Sequence, residues 1–183
     1  MSLPGDELFL HPSWGYTHAV TIQAAPETIW PWLVQIGQGR GGFYSYEVLE
    51  NLVGCNIRNL ERIKPELQNL QVGDEIKLHP KAPGIPVEDL EANGYLLLAG
   101  RMDAATGGPA APDTPANRVI GTTWLFYLQP QDANHTRLIV RGHYAYRPTW
   151  LNRAFMGPGL LEPISFVMER KMLLTLKHLA ETI

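Results

Sequence analysis

The chain reads as one α+β domain in which a curved antiparallel sheet wraps a long C-terminal helix. Three observations predict this. First, residues 163–182 carry proline only at the first position and no glycine, the pattern of one uninterrupted helix roughly 30 Å long at ~1.5 Å per residue. Second, Ile164, Val167, Met168, Met172, Leu174, Leu176 and Leu179 cover more than half of its circumference, with Glu169, Arg170, Lys177 and Glu181 opposite. So broad an apolar arc suits a concave partner better than a flat one. On that reading Leu174 is central, and Leu174→Asp should unfold the domain. Third, strands follow one another as hairpins, which makes the sheet antiparallel and the class α+β.

Taken in order, residues 1–15 look irregular, and Met1 to Leu3 read as extraneous to the fold. Tyr16 to Ala24 alternates and holds Val20, Thr21 and Ile22, a strand. Pro26-Glu27 opens a helix with proline at its first position, striped by Trp30, Leu33 and Val34. Gly37 to Gly42 breaks it. Ser45 can cap a second short helix, in which Tyr46, Leu49, Leu52 and Val53 are spaced for one face before Gly54 ends it. Residues 55–72 predict short helical turns, since Pro65 rules out a continuous helix. Strands are expected at Glu75–Leu78, Val87–Glu91 and Tyr95–Gly100, the last two joined through the hairpin signal Asn93-Gly94.

Residues 101–118, with three prolines and two adjacent glycines, have almost nothing to bury and read as a flexible loop. Val119–Gln129 and His135–Tyr146 are the clearest strands. Trp124, Phe126 and Leu128 share one face of the first, and Leu138, Val140, Gly142 and Tyr144 one face of the second. Arg137, Arg141 and His143 fall on the opposite, outward face. Trp150–Met156 reads as a short helix and Gly157-Pro-Gly159 as a hinge.

Composition narrows the function. The 183 residues are 45% hydrophobic and 18% charged with net charge −3, and no basic run is present, which argues against nucleic acid as a partner. The single cysteine, Cys55, excludes an intrachain disulfide and fits a reducing compartment. The N-terminus lacks a signal-peptide pattern, and no run approaches ~18 apolar residues. A cytoplasmic location without integral membrane association is therefore the expectation. A homodimer is the one self-association left open.

Several stretches resemble members of the SRPBCC superfamily, the START-like, polyketide cyclase/dehydrase-type proteins. They are Trp32-Leu-Val-Gln-Ile-Gly-Gln-Gly-Arg-Gly-Gly-Phe-Tyr-Ser-Tyr-Glu-Val-Leu-Glu-Asn-Leu-Val-Gly54, Ile63-Lys-Pro-Glu, Val72-Gly-Asp74, Thr136-Arg-Leu-Ile-Val-Arg141 and Phe166-Val-Met-Glu-Arg-Lys-Met-Leu-Leu174. The resemblance spans nearly all of the chain from residue 16. It implies the helix-grip fold, with an apolar cavity between sheet and helix, and the binding of lipids, sterols, polyketides or hormones. It supplies no shared catalytic motif. The long 101–118 loop departs from compact members.

Gly37-Gln-Gly39-Arg-Gly-Gly42 matches the dinucleotide pattern G-x-G-x-x-G, but a helix rather than a strand precedes it, so a glycine-rich interhelical turn is expected. Arg40 could still meet an acidic head group. The scattered histidines and the absence of H-E-x-x-H or C-x-x-C predict no metal site, and no cofactor is expected. No serine lies in G-x-S-x-G. Cys55 reads as an inert thiol, and Glu47 and Glu50 as solvated acids rather than a catalytic pair. The candidate walls of a ligand cavity are Tyr44, Tyr46, Trp124, Phe126, Tyr144, Met168 and Met172, which offer apolar surface with a few polar handles. Lys171, seven residues from His178 on the apolar arc, either meets a carboxylate inside or snorkels to water. The leading expectation is a protein that binds a small apolar molecule with no catalytic residues. The alternatives are a cyclase- or dehydratase-like enzyme moving protons through pocket tyrosines, Lys171 or Glu50, and an interaction module using Phe166 and Leu173.

Overall fold

The longest strands set the frame. In a computed structural model, described here for residues 1–147 and 161–182 with the side chains of residues 161 and 162 set aside, β5 (Val119–Pro130) and β6 (Thr136–Ala145) form a long antiparallel hairpin. Around it lie β1 (Trp14–Ile22), β2 (Glu75–Ile76), β3 (Ile85–Glu91) and β4 (Tyr95–Asp103), in the spatial order β1-β6-β5-β4-β3-β2, every neighbouring pair antiparallel. The N-terminal strand thus closes onto the last strand. Asn93, at φ 62, makes the predicted β3–β4 turn, a conformation asparagine tolerates better than most residues.

Helix α1 (Pro26–Val34) and the six-residue α2 (Glu47–Leu52) follow β1. A 3-10 turn at Pro65–Leu67 is the helical turn foreseen between them and the sheet. The last helix, α3 (Leu161–Glu181), lies in the sheet's concavity, so the helix-grip arrangement is present. The expected helix at 150–156 and hinge at 157–159 fall outside the described residues.

The main core joins Met172, Leu173, Leu176 and Ala180 of α3 to Phe126, Leu128, Leu138 and Val140 of the sheet and Ile29, Trp32 and Leu33 of α1. Each large side chain buried there is worth about 1.5–3 kcal/mol. The register matches the alternation in the sequence. The grip is narrower than the apolar arc suggested, however. Ile164, Val167 and Leu174 are 53%, 47% and 43% exposed, whereas Glu169 is only 6% exposed. The sheet holds a stripe spaced 169, 172, 173, 176 and 180, and Leu174 faces away from it. The unfolding expected of Leu174→Asp loses its basis.

The outward face is not all polar. Leu97, Leu125 and Ile139 form a second cluster there, and Leu3 covers them at 4% exposure. Asp6 accepts a hydrogen bond from Arg141 at 2.7 Å, and Phe9 lies where a Cβ on Gly121 would stand. The N-terminal stretch, Leu3 included, is therefore a structural cover. The 101–118 loop begins only after Asp103. It is tied at its base by the Asp103–Arg118 ion pair and by Ala104 N–H donating to the Arg118 carbonyl at 2.8 Å.

The turn at 37–42 is indeed interhelical. Gly37, Gly39 and Gly42 take φ 125, 74 and 81, values that favour glycine. Arg40 donates to the carbonyls of Val34 at 3.0 Å and Leu67 at 2.9 Å. Its guanidinium serves the end of α1, and its pKa is lowered by burial.

Candidate functional site

The site begins with a glycine. Gly142 on β6 stands opposite Tyr16 of β1 on one side and Trp124 of β5 on the other. A Cβ on Gly142 would come within 2.5 Å of the Tyr16 ring, so the missing side chain lets that ring lie flat across the strand. Along β1 the residues of this face are Trp14, Tyr16 and His18. Trp14 stacks on Tyr144 with centroids 5.0 Å apart, and Tyr16 stacks on His18 at 5.2 Å. Trp124 packs between Phe43 and Phe126 at 6.0 and 4.7 Å. The edge strand β1 and its neighbours β6 and β5 thus present an aromatic wall to α3.

Glu169 projects from α3 onto this wall. Its Oε2 shares a hydrogen bond with His18 Nδ1 at 2.7 Å. Phe166, one turn earlier, meets the His18 ring edge-on at 5.3 Å. Burial raises the Glu169 pKa, opposed by the Tyr16 hydroxyl and His18. The Trp124 indole adds to that opposition without completing a hydrogen bond. In return Tyr16 is raised well above its ordinary value, first by burial and then by the Glu169 charge, and Tyr144 is raised to about 12 for the same two reasons.

Between α3 and the sheet lies a cavity of about 220 Å³, walled by Tyr16, Phe43, Trp124, Tyr144, Met168 and Met172, with Glu50, Glu169 and Ser45 among its polar groups. A second, largely apolar space of about 300 Å³ lies against β3, β4 and the 104–118 loop. The two share Leu78, Ile85, Thr122 and Tyr144 as walls, so the second lies directly beside the first, in the position of a vestibule.

Glu50 enters the cavity because α2 is set with its apolar side outward. Tyr44 reverses the chain at φ 57. Ser45 donates to the Met168 carbonyl at 2.9 Å instead of capping the helix, and the Asn51 side chain brackets Ile57 through two hydrogen bonds. These bonds fix the rotation of a helix too short to be ruled by its own stripe. Val48, Leu49, Leu52 and Val53 are 80%, 49%, 82% and 71% exposed, while Glu50 is 8% exposed. The buried face expected of Leu49, Leu52 and Val53 is thus reversed, and Glu50 is not a solvated acid. Burial, then the Glu47 charge, raises its pKa to about 7. Its Oε2 is buried with no hydrogen-bond partner among the described residues.

Of the residues singled out from sequence, Trp124, Tyr144, Met168 and Met172 line the cavity together. The other four sit elsewhere. Tyr44 is fully buried in the core, its hydroxyl accepting from Gln35 Nε2 at 2.9 Å and donating to the Trp32 carbonyl at 3.2 Å. Phe126 packs behind Trp124 and is likewise fully buried. Tyr46 is 40% exposed, and its ring lies 5.9 Å from Lys171 Nζ. Lys171 and His178 both line a separate and more polar space of about 730 Å³ on the other flank of α3, between it and the 59–61 segment. Of the interaction-module residues, Leu173 is buried at 5%, which removes it from any surface patch.

Tyr16, His18 and Glu169 were not foreseen in any functional role. Yet Glu169 stands three and four residues before Met172 and Leu173, a core-stripe position, and its acidic character hid that signal. Among the described residues, no three His, Cys, Asp or Glu side chains group as metal ligands, and no helix is long and apolar enough to cross a membrane.

No family model and no curated protein matches the chain, but solved structures do. Hypothetical protein jhp0584 from Helicobacter pylori superposes with a TM-score of 0.54 at 10% identity, over 98% of this chain and 95% of its own. DynU16, from the dynemicin biosynthetic locus, gives 0.48 at 14% identity over 91% of this chain and 48% of its own. The Zhui aromatase/cyclase of a Streptomyces species gives 0.32 at 15% identity over 91% and 93%. At such identities the likeness concerns the fold alone, and only the first of these scores is high enough to bear on it.

Proposed function

We propose that this protein binds a small, largely apolar molecule in the cavity between α3 and the sheet, with the vestibule holding the part of the ligand that projects outward. The observation that carries the reading is the cavity itself. Its aromatic and thioether walls are interrupted by few polar groups, the usual make-up of a small-molecule site. Apolar burial at ~25 cal/mol per Å² supplies the affinity, and the polar groups orient the ligand. The partner is therefore a small molecule with an apolar body, of which about 220 Å³ is accommodated in the cavity itself. The names printed for DynU16 and the Zhui aromatase/cyclase are in keeping with this but do not carry it.

A second reading, proton transfer on the bound molecule, is favoured by one observation. Glu50 and Glu169, both with raised pKa values, line a single cavity from different helices. A carboxyl poised near neutral pH suits general acid–base work. The test of the first reading is titration with the neutral fluorophore N-phenyl-1-naphthylamine, together with native mass spectrometry of protein from its own host. Wild type should enhance the fluorescence, and Met172→Trp, which fills the cavity, should abolish the enhancement while keeping its circular dichroism. No enhancement and no co-purified molecule would overturn the reading.

A further inference from the structure

We infer that the cavity selects an organic cation: a protonated amine on an apolar, preferably aromatic, body, with its ammonium group at Glu50. This deepens the binding function proposed above and rests on it.

The argument starts from the unpartnered acid. Glu50 is 8% exposed, its Oε2 has no hydrogen-bond partner among the described residues, and it lines the cavity. Buried carboxylates are ordinarily paired, so one left open toward an empty space is a half-built ion pair. Among the described residues the cavity offers nothing to complete it. Among its described walls there is no lysine or arginine, and the second acid, Glu169, is already engaged by His18. Lys171, two residues beyond Glu169 on the same helix, lies over Tyr46 on the other flank.

Among the described walls of the cavity the charged groups are therefore carboxyls, with His18 already taken up by Glu169. An anionic head group placed at Glu50 would meet a carboxyl and no lysine or arginine among those walls, Arg101 lining the second space instead. An ammonium would meet Glu50 in a space walled by aromatic rings, among them Trp124, Tyr16 and Tyr144. A cation gains from both the carboxylate and the ring quadrupoles, and gains more where water is excluded. The apolar body would run past Tyr144 and Thr122 into the vestibule.

The experiment uses three ligands on one skeleton: 2-(naphthalen-2-yl)ethylamine, the matching alcohol and the matching carboxylic acid. They are titrated calorimetrically into the whole protein at pH 8. There a primary alkylamine, which like lysine titrates at about pH 10, is charged. Glu50, set against Glu47 on its own helix, Cys55 beyond it and the Glu169, Tyr16 and Tyr144 groups across the cavity, is ionised at that pH. The amine should bind at least tenfold tighter than the alcohol, and the acid more weakly than either. Glu50→Gln, which keeps the side-chain shape, should erase the advantage of the amine over the alcohol. An amine advantage that survives in Glu50→Gln would place the cation elsewhere, or reduce it to attraction by net charge, and would overturn the inference. An alcohol as tight as the amine, or an acid tighter than both, would overturn it while leaving the apolar cavity as the binding site. Failure of all three to bind would overturn both.

Discussion

Replacing Glu50 by glutamine should make the protein more stable at alkaline pH and leave it unchanged at acid pH. Burial, then Glu47, lifts the Glu50 pKa from the ordinary 4.5 to about 7, so the native state holds this proton more tightly than the unfolded chain does. Below the unfolded value both states are protonated and nothing is lost. As pH rises through the interval up to about 7, the unfolded chain ionises first and stability falls. Above it the penalty is complete. At ~1.36 kcal/mol per pH unit, the interval sets an upper bound of about 3 kcal/mol. Glutamine does not titrate, so the difference between variant and wild type should move in the variant's favour by about 2–3 kcal/mol between pH 5 and pH 8. For a domain of this length that corresponds to a melting-temperature gain of roughly 4–10 °C at pH 8. Urea denaturation of both proteins at the two pH values measures it. Glu169, raised in the same direction, tilts both curves alike and cancels in the comparison. A difference that does not change with pH, or that turns against the variant at pH 8, would refute the claim that Glu50 is buried without a partner.

Three further outcomes are expected. His18→Ala leaves the Glu169 carboxyl without its 2.7 Å partner and should cost about 3 kcal/mol; Glu169→Leu in the same chain should recover much of it, and urea midpoints that show no recovery would count against a buried pair. Gly142→Ala drives a methyl to 2.5 Å from the Tyr16 ring and should cost about 1–3 kcal/mol, a penalty that a double-mutant cycle with Tyr16→Ala should show to be coupled rather than additive. Removal of residues 1–9 uncovers Leu97, Leu125 and Ile139 and breaks the Asp6–Arg141 pair, so the melting temperature should fall by several degrees; an unaltered one would mean that the stretch covers nothing.

The sheet and the gripped helix were legible because they rest on long repetitive signals. The alternation over β5 and β6 fixes which side chains face α3, and a twenty-residue helical pattern leaves little choice of element. The 37–42 turn was read correctly from what preceded it, a helix where the dinucleotide motif needs a strand. The site was half legible. Trp124, Tyr144, Met168 and Met172 follow from alternation and helical spacing. Tyr16 and His18 do not, because their place depends on β1 pairing with β6 across more than a hundred residues. Glu50 was read against its helix, since six residues are too few for a stripe to outweigh the hydrogen bonds that set their rotation. Glu169 was lost to an assumption that acids face water. Both acids that define the cavity were therefore placed on the wrong side by rules that hold for ordinary surface helices.

The closure of β1 onto β6 also orders events in time. Trp14 to Ile22 pairs with Thr136 to Tyr144, so on the ribosome the first strand made has no partner until some 120 residues later, and the Glu169 that meets His18 comes later still. Chain closures of that span are slow. Until then the β1 edge and the aromatic row of Trp14, Tyr16 and His18 stay uncovered, at the stage when a nascent chain is most exposed to mispairing. The pocket draws its walls from both β1 and α3, so it is complete only once that long-range closure has been made.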